Sequence, residues 1–320
     1  MLNRRILRIK AFKVLYSYAE NPTMTLSDVE SMFEASCEAA RSLYLLMLDI
    51  IPYLTAEARN RIENARNKFC PTEEERNPNM KFTENLLCPL LEQDIDFQKI
   101  LGRRKLSWEP YDAFVRDIYD SICSKDYFKD YMNSPERSLE EDVKLFTRIF
   151  EEEFVDNEEL ERILEDNSIL WCDDLAYSLT VCCDTLKSLA KGYRWSLPPL
   201  YRSEILQAQN KDVESDKAFI IKLLRTAYSC YGKYAPLVAE STSQWEKDRL
   251  FTTDTVLIVM GLSEAKAFPA MPLRVTINEY VEISKYYSTP KSRSFVNGLL
   301  DRLIKRQIEE GDIVKTEKID

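Results

Sequence analysis

Apolar residues recur at helical spacing through almost the whole chain, and the pattern predicts an all-α fold. In the first segment Leu7, Ala11, Val14, Leu15 and Tyr18 fall at i, i+4, i+7, i+8 and i+11, one stripe able to face a core. Arg5, Arg8, Phe12 and Tyr16 form an adjacent stripe, with Arg4 beside it. Residues 36–69 are helix-compatible and free of glycine, interrupted mildly at Pro52. CPTEEERNPNM at 70–80 reads as a loop, with Pro71 and Pro78 as breakers. Residues 81–105 read as another helix. Ser138 and Glu141 have capping-box spacing and should open a helix running to about Glu153. Phe154, Leu160, Ile163 and Leu164 carry the pattern through the acid-rich stretch 151–166, whose carboxylates read as a solvated face. RWSLPPLYRS at 194–203 reads as a linker, because Pro198-Pro199 forbids a continuous helix. Helical pattern resumes near Val213 and runs to about Glu309, with breaks expected at Pro236, Pro269, Pro272 and Pro290.

Composition narrows the chemistry. The 320 residues include no histidine, which excludes Ser-His-Asp and Cys-His nucleophilic sites and HExxH zinc sites. Only six glycines are present, with no GxGxxG and no GxxxxGK[ST], so a nucleotide-binding α/β enzyme is not expected. The eight cysteines contain no CxxC pair, so a structural zinc site is not indicated and reduced thiols are expected. No catalytic residue, metal or cofactor follows from these residues. The longest apolar run, around Leu43 to Leu54, is interrupted by Asp49 and falls short of a membrane span. A cytoplasmic protein with no membrane association is expected.

The net charge of −10 hides unlike parts. Residues 1–20 carry five basic side chains and one acid, residues 212–320 sixteen of each, and residues 21–211 carry 23 basic against 37 acidic. Only the ends could therefore meet a polyanion. In the first helix the interleaved arginines and rings suit single-stranded RNA, since cations attract phosphates and rings stack on bases. The same stripe also fits arginines lying along core aromatics. Near the other end, Lys285, Lys291, Arg293, Arg302, Lys305 and Arg306 stand against Asp301 alone, with Tyr286, Tyr287 and Phe295 among them. Pro290 places these groups at a helix–helix corner.

RRILRIKAFKVLYS at 4–17 resembles the opening helix of the NusB family of transcription antitermination factors. MPLRVTINEYVEISKYYSTPKSRSFVNGLLDRL at 271–303 resembles that family's C-terminal signature, with V-x-I-N-E, a following E-x-x-K and F-V-N-G-L-L-D. Trp245, Arg249 and Asp254 resemble its W-x3-R-x4-D pattern. One departure stands near residue 259, where family members commonly carry an arginine before an acidic–apolar pair. Here Val259 and Glu264-Ala265 occupy that place, which weakens one polar contact of the implied protein-binding face. Asn278, Glu279, Asn297 and Gly298 are expected to determine the fold, Gly298 by allowing close helix–helix approach.

The resemblance implies NusB-like helical bundles with an additional helical insertion, no catalysis, and binding of boxA-like RNA from ribosomal RNA leader transcripts. It also implies two protein partners, the ribosomal protein NusE and the RNA polymerase antitermination complex. The implied RNA face combines Arg4, Arg5 and Arg8 with Tyr287, Lys291 and Phe295, and the implied NusE side holds Tyr16, Asp248 and Asp254. The expected organisation is a discontinuous family core of 1–20 plus 212–310, an acidic insertion of 21–211 packed on it, and a flexible tail at 311–320. A helical scaffold that has lost RNA binding is the alternative, favoured by the net negative charge. An RNA-modifying enzyme would need a glycine-rich cofactor domain after the helical one, and too few residues follow Arg306 to build it.

Overall fold

The computed structural model describes residues 1–211, 213–242 and 251–316, and the chain divides into two compact units, Met1–Cys37 with Pro199–Asp320 and Glu38–Pro198. Among the described residues there are fifteen α-helices and no β-strand. The first two are α1 (Arg4–Glu20) and the long α2 (Leu26–Arg66), which begins in the first unit and ends in the second. The second unit continues with α3 (Glu73–Arg76), α4 (Leu87–Glu92), α5 (Ile95–Arg104), α6 (Asp112–Ser124), α7 (Asp126–Asn133), α8 (Leu139–Glu153), α9 (Glu158–Asn167) and α10 (Leu175–Ala190). The chain re-enters the first unit for α11 (Arg202–Gln209), α12 (Asp216–Thr242), α13 (Thr252–Ala267), α14 (Leu273–Tyr287) and α15 (Ser292–Glu309).

In the first unit α13 is the centre, with α1, α12, α14 and α15 packed on it. Its sequence VLIVMGLSEAKA is apolar on nearly every side, as a helix surrounded by others must be, and Val256 to Ala265 are all buried. Gly261 is the close-approach position: a Cβ there would sit 2.7 Å and 2.8 Å from the two methyls of Leu300 on α15. Gly298, expected in that role, faces open space with nothing within 4 Å, and Asn278 and Asn297 are exposed. The α1 stripe lies as the spacing predicts, with Leu7, Ala11, Val14 and Leu15 buried. Asn3 caps that helix by accepting from the Ile6 N–H at 3.0 Å.

The compact second unit is shorter than the 21–211 insertion drawn from charge. Residues 21–37 belong with the first unit because Val29 and Phe33 are buried, Lys10 donates to the Ser36 carbonyl at 2.8 Å and Tyr228 donates to that of Met24 at 3.1 Å. Where the chain returns, Leu2 donates to the Leu200 carbonyl at 2.7 Å and accepts from the Arg202 N–H at 2.9 Å, an isolated parallel bridge around Tyr201. Residues 311–316, expected to be a flexible tail, are held down. Ile313 is buried, and Asp312 accepts from Lys233 (2.8 Å), Lys266 (2.7 Å) and Tyr234 (2.6 Å). Those bonds outweigh its desolvation and hold its carboxyl well below the usual carboxylate range.

Two proline expectations differ in outcome. Pro272 and Pro290 fall between helices, as predicted, but α12 continues through Pro236. The ring removes the N–H that would bond Gly232, and both residues are exposed, so water can take the freed carbonyl. The stretch 81–105 is two helices rather than one. Asn85 accepts from the Cys88 N–H at 2.8 Å, and Asp94 from Asp96 and Phe97, both at 3.0 Å, so each side chain opens its own helix. The predicted cap at Ser138 is present, accepting from the Glu141 N–H at 3.2 Å. Glu141 does not close the box and pairs instead with the buried Lys81 at 2.8 Å. Helix α2 contains an 18-residue window apolar enough for a membrane span, but 67% of that window is buried within the protein.

Candidate nucleic-acid interface

Helix α1 and the α14–α15 corner of the first unit bring the two basic–aromatic segments together. The Phe12 ring lies 5.3 Å from that of Tyr287 and 6.5 Å from that of Tyr16, and the Lys13 ammonium sits 5.8 Å from the Tyr287 ring centre. Around the corner Lys285, Tyr286, Lys291 and Arg293 are exposed, Tyr286 at 80%, while Tyr287 and Phe295 are half-buried. A surface of rings edged with cations can stack bases and neutralise phosphates.

Asp254 fixes the corner. Placed on α13 with 1% exposure, it accepts from Ser288 Oγ at 2.6 Å and Ser292 Oγ at 2.9 Å, on either side of Pro290. Burial raises its pKa, and the two serine bonds offset only part of that rise. The expectation that Asp254 faces a protein partner does not match this placement, because its carboxyl is enclosed. Tyr16 is on the surface, at 37%. Asp248, with Trp245 and Arg249, lies outside the described residues.

The three arginines of α1 divide. Arg8, expected on the RNA face, is 3% exposed and inside the core. Its guanidinium donates twice to the fully buried Glu264, at 2.7 Å and 2.9 Å, and Glu264 also accepts from Thr276 at 3.1 Å and Tyr280 at 2.9 Å. Burial works against the charge on Arg8, yet the bonds and attraction from Glu264 outweigh it and its pKa is raised. Arg4 bonds Asp216 at 2.9 Å and Glu214 at 2.6 Å, and both it and Arg8 lie over the Phe219 ring, at 4.5 Å and 4.9 Å. Arg5 is half-exposed but forked onto Glu279 at 2.7 Å and 3.0 Å, an arrangement that raises the arginine and lowers the carboxylate. The basic stripe of α1 is thus largely matched by acids from α12, α13 and α14.

Sequence reasoning missed Glu264 and Asp216 as the groups that hold these arginines. A signal for the first existed: an acid inside VLIVMGLSEAKA has no apolar reason to be there and requires a buried donor. Asp216 is less legible, since it opens α12 and its tie to Ser203, N–H to carboxylate at 2.9 Å and Oγ accepting from the Asp216 N–H at 2.9 Å, depends on tertiary placement.

Comparison with known proteins bears on the same part of the chain. A family model described as NusB family matches residues 196–305. The transcription antitermination protein NusB of Thermodesulfovibrio yellowstonii is 32% identical over 102 residues, covering 32% of this chain and 66% of that protein. That of Salinibacter ruber is 30% identical over 102 residues, 32% of this chain and 64% of its own length. That of Myxococcus xanthus is 32% identical over 97 residues, covering 30% of this chain and 69% of that protein. The chain therefore spans about two thirds of the length of these relatives. No solved structure matches it.

Proposed function

We propose a function from one premise: the chain belongs to the NusB family. On that premise it is a non-enzymatic, RNA-binding transcription antitermination factor of the cytoplasm. It engages boxA-like RNA of ribosomal RNA leader transcripts together with the ribosomal protein NusE, within the RNA polymerase antitermination complex. The observation that carries the reading is the α14–α15 corner, where Lys291 and Arg293 are exposed, Tyr287 and Phe295 are half-buried, and the Tyr287 ring adjoins Phe12 and Lys13 of α1. In this reading Tyr287 and Phe295 stack bases, Lys291 and Arg293 meet phosphates, and Arg5 stands at the edge. Arg4 and Arg8 support the face from behind, and Tyr16 remains toward the protein partner.

The scaffold alternative has its own support. The Glu38–Pro198 unit carries 33 acidic and 21 basic side chains, a net −12, while the first unit stands at +2. The arginines of α1 are also engaged with carboxylates. A salt-dependent titration of boxA-like RNA, with and without NusE, separates the two. The RNA-binding reading expects affinity that falls as salt rises and that increases when NusE is present. Absence of binding at low salt in both conditions selects the scaffold.

A further inference from the structure

The second unit contains a cavity of about 450 Å³, broadly open to solvent, between α2, α4, α5 and the segment after α5. Pro52, Ala56, Leu101 and Leu106 supply its apolar walls. Asp49 lies in the same lining, 5% exposed, in the middle of the apolar run of α2. Among the described residues no donor and no cation is bonded to its carboxyl. Its oxygens keep contact with solvent through the opening of the cavity, where a donor from outside can reach them.

The rest of the lining is poor in donors and contains no lysine or arginine. Gln98 gives one amide N–H to the Leu91 carbonyl at 3.1 Å, which leaves its second N–H and its acceptor oxygen. The hydroxyls of Tyr53 and Ser107 bond each other at 2.8 Å. Glu92 stands at the rim, 3.7 Å from Arg59. Gly102 makes a separate observation. It lies inside α5, where glycine weakens a helix relative to alanine, yet an added Cβ would meet nothing within 4 Å. Packing does not require a glycine there; the residue is exposed and borders the open side of the cavity.

We propose that this cavity binds an alkylammonium group, its head on Asp49 and its stem along the apolar walls, supplied by a lysine side chain of a basic protein or by a free polyamine. Three N–H donors suit an enclosed carboxyl with a few acceptors around it, whereas the five of a guanidinium would outnumber them. The acidity of the whole unit draws such a cation in. Binding strengthens as pH rises through neutrality, because burial pushes the Asp49 carboxyl up to about 7 and the cation selects its ionised form. The other titratable groups lining the cavity are Tyr53 and Glu92.

The test is calorimetric titration of the full chain at pH 8 with n-pentylammonium chloride, and with 1-pentanol as a neutral molecule of the same stem. Saturable binding of the ammonium is expected, at least tenfold weaker for the alcohol and at least tenfold weaker in Asp49→Asn. Gly102→Phe keeps the carboxyl but fills the cavity, and it should abolish binding with helical circular dichroism unchanged. Titration with spermidine and with Nα-acetyl-lysine amide then assigns the source to whichever binds tighter. Failure of the wild type to bind the ammonium, or equal binding by the wild type and both variants, overturns the proposal. RNA affinity should be the same in all three proteins, so the outcome does not depend on the RNA-binding reading.

Discussion

Both compact units bury a carboxyl group inside an apolar helix, and the two groups are treated in opposite ways. Glu264, in the middle of α13, is met by Arg8, Thr276 and Tyr280, so the charge of α1 is neutralised where it enters the core. Asp49, in the middle of α2, meets no donor among the described residues, keeps its oxygens in touch with solvent, and carries a pKa raised to about 7 by burial alone. A buried charge that keeps its partners is tolerated in a core, while one without a partner inside the protein lowers stability when ionised. The family match, residues 196–305, falls almost wholly in the unit with the satisfied group and takes in Glu264 but not Asp49. The first carboxyl lies within the stretch that matches a known family, and the second lies outside it.

The sharpest way to break the comparison is to remove one partner from the satisfied pair. Arg8→Ala leaves Glu264 fully buried without its cation and should destabilise the protein by about 3–5 kcal/mol. Urea denaturation measures it. Arg8→Ala stability within 1 kcal/mol of wild type would mean that Glu264 finds another donor or takes up a proton, and the two carboxyls would then be alike.

The second effect comes from Asp49 and runs with pH. Its folded pKa is about 7, above the ordinary value of about 3.9, so the folded state holds this proton more tightly than the unfolded chain does. The associated stability is complete below pH 4 and is lost as pH rises toward 7, at about 1.4 kcal/mol per pH unit and on the order of 4 kcal/mol in all. Other carboxylates, Asp312 and Glu279 among them, have lowered pKa values and act in the opposite sense. The measurable quantity is therefore the difference between wild type and Asp49→Asn, which should shift steadily in favour of the variant from pH 4 to pH 7. A constant difference across that range would show that water or a partner reaches the carboxyl.

What could be read in advance follows the same division. The helices of the first unit were legible because their apolar stripes are long and regular, and the C-terminal signature placed Tyr287, Lys291 and Phe295 at one corner. The fate of the arginines was not, because Arg8 on a stripe with Phe12 looks the same whether it faces water or Glu264. In the second unit 81–105 read as one helix because its apolar residues continue across Asn85 and Asp94. The break is made by side chains that bond the next turn's N–H groups, a local effect that apolar periodicity alone does not register. Asp49 read only as an interruption of an apolar run; its isolation depends on what α4 and α5 bring beside it.

A third prediction moves to the ring surface. Under the RNA-binding reading, Tyr287→Ala and Phe295→Ala should each cost about 1–3 kcal/mol of RNA affinity, the usual worth of one stacked base. Both rings are half-buried, so thermal melts must accompany the binding curves. A large fall in melting temperature with normal RNA affinity in the protein that remains folded would assign the rings to the core instead.

The smallest effect discriminates between two cations of that surface that differ in what they already hold. Lys291 is exposed at the start of α15, whereas Arg5 is forked onto Glu279 by two hydrogen bonds. Each phosphate contact on a single strand contributes about 0.7 to the slope of log affinity against log salt. Lys291→Gln should therefore lower that slope by about 0.7. Arg5→Gln removes the same formal charge but breaks an internal pair, so the slope should stay near the wild-type value even if affinity falls. The double variant Arg5→Gln with Glu279→Gln restores the net charge and should bring affinity back. If Arg5→Gln lowers the slope as much as Lys291→Gln does, the Arg5–Glu279 fork opens onto the RNA, and the basic stripe of α1 contributes a phosphate contact as well as architecture.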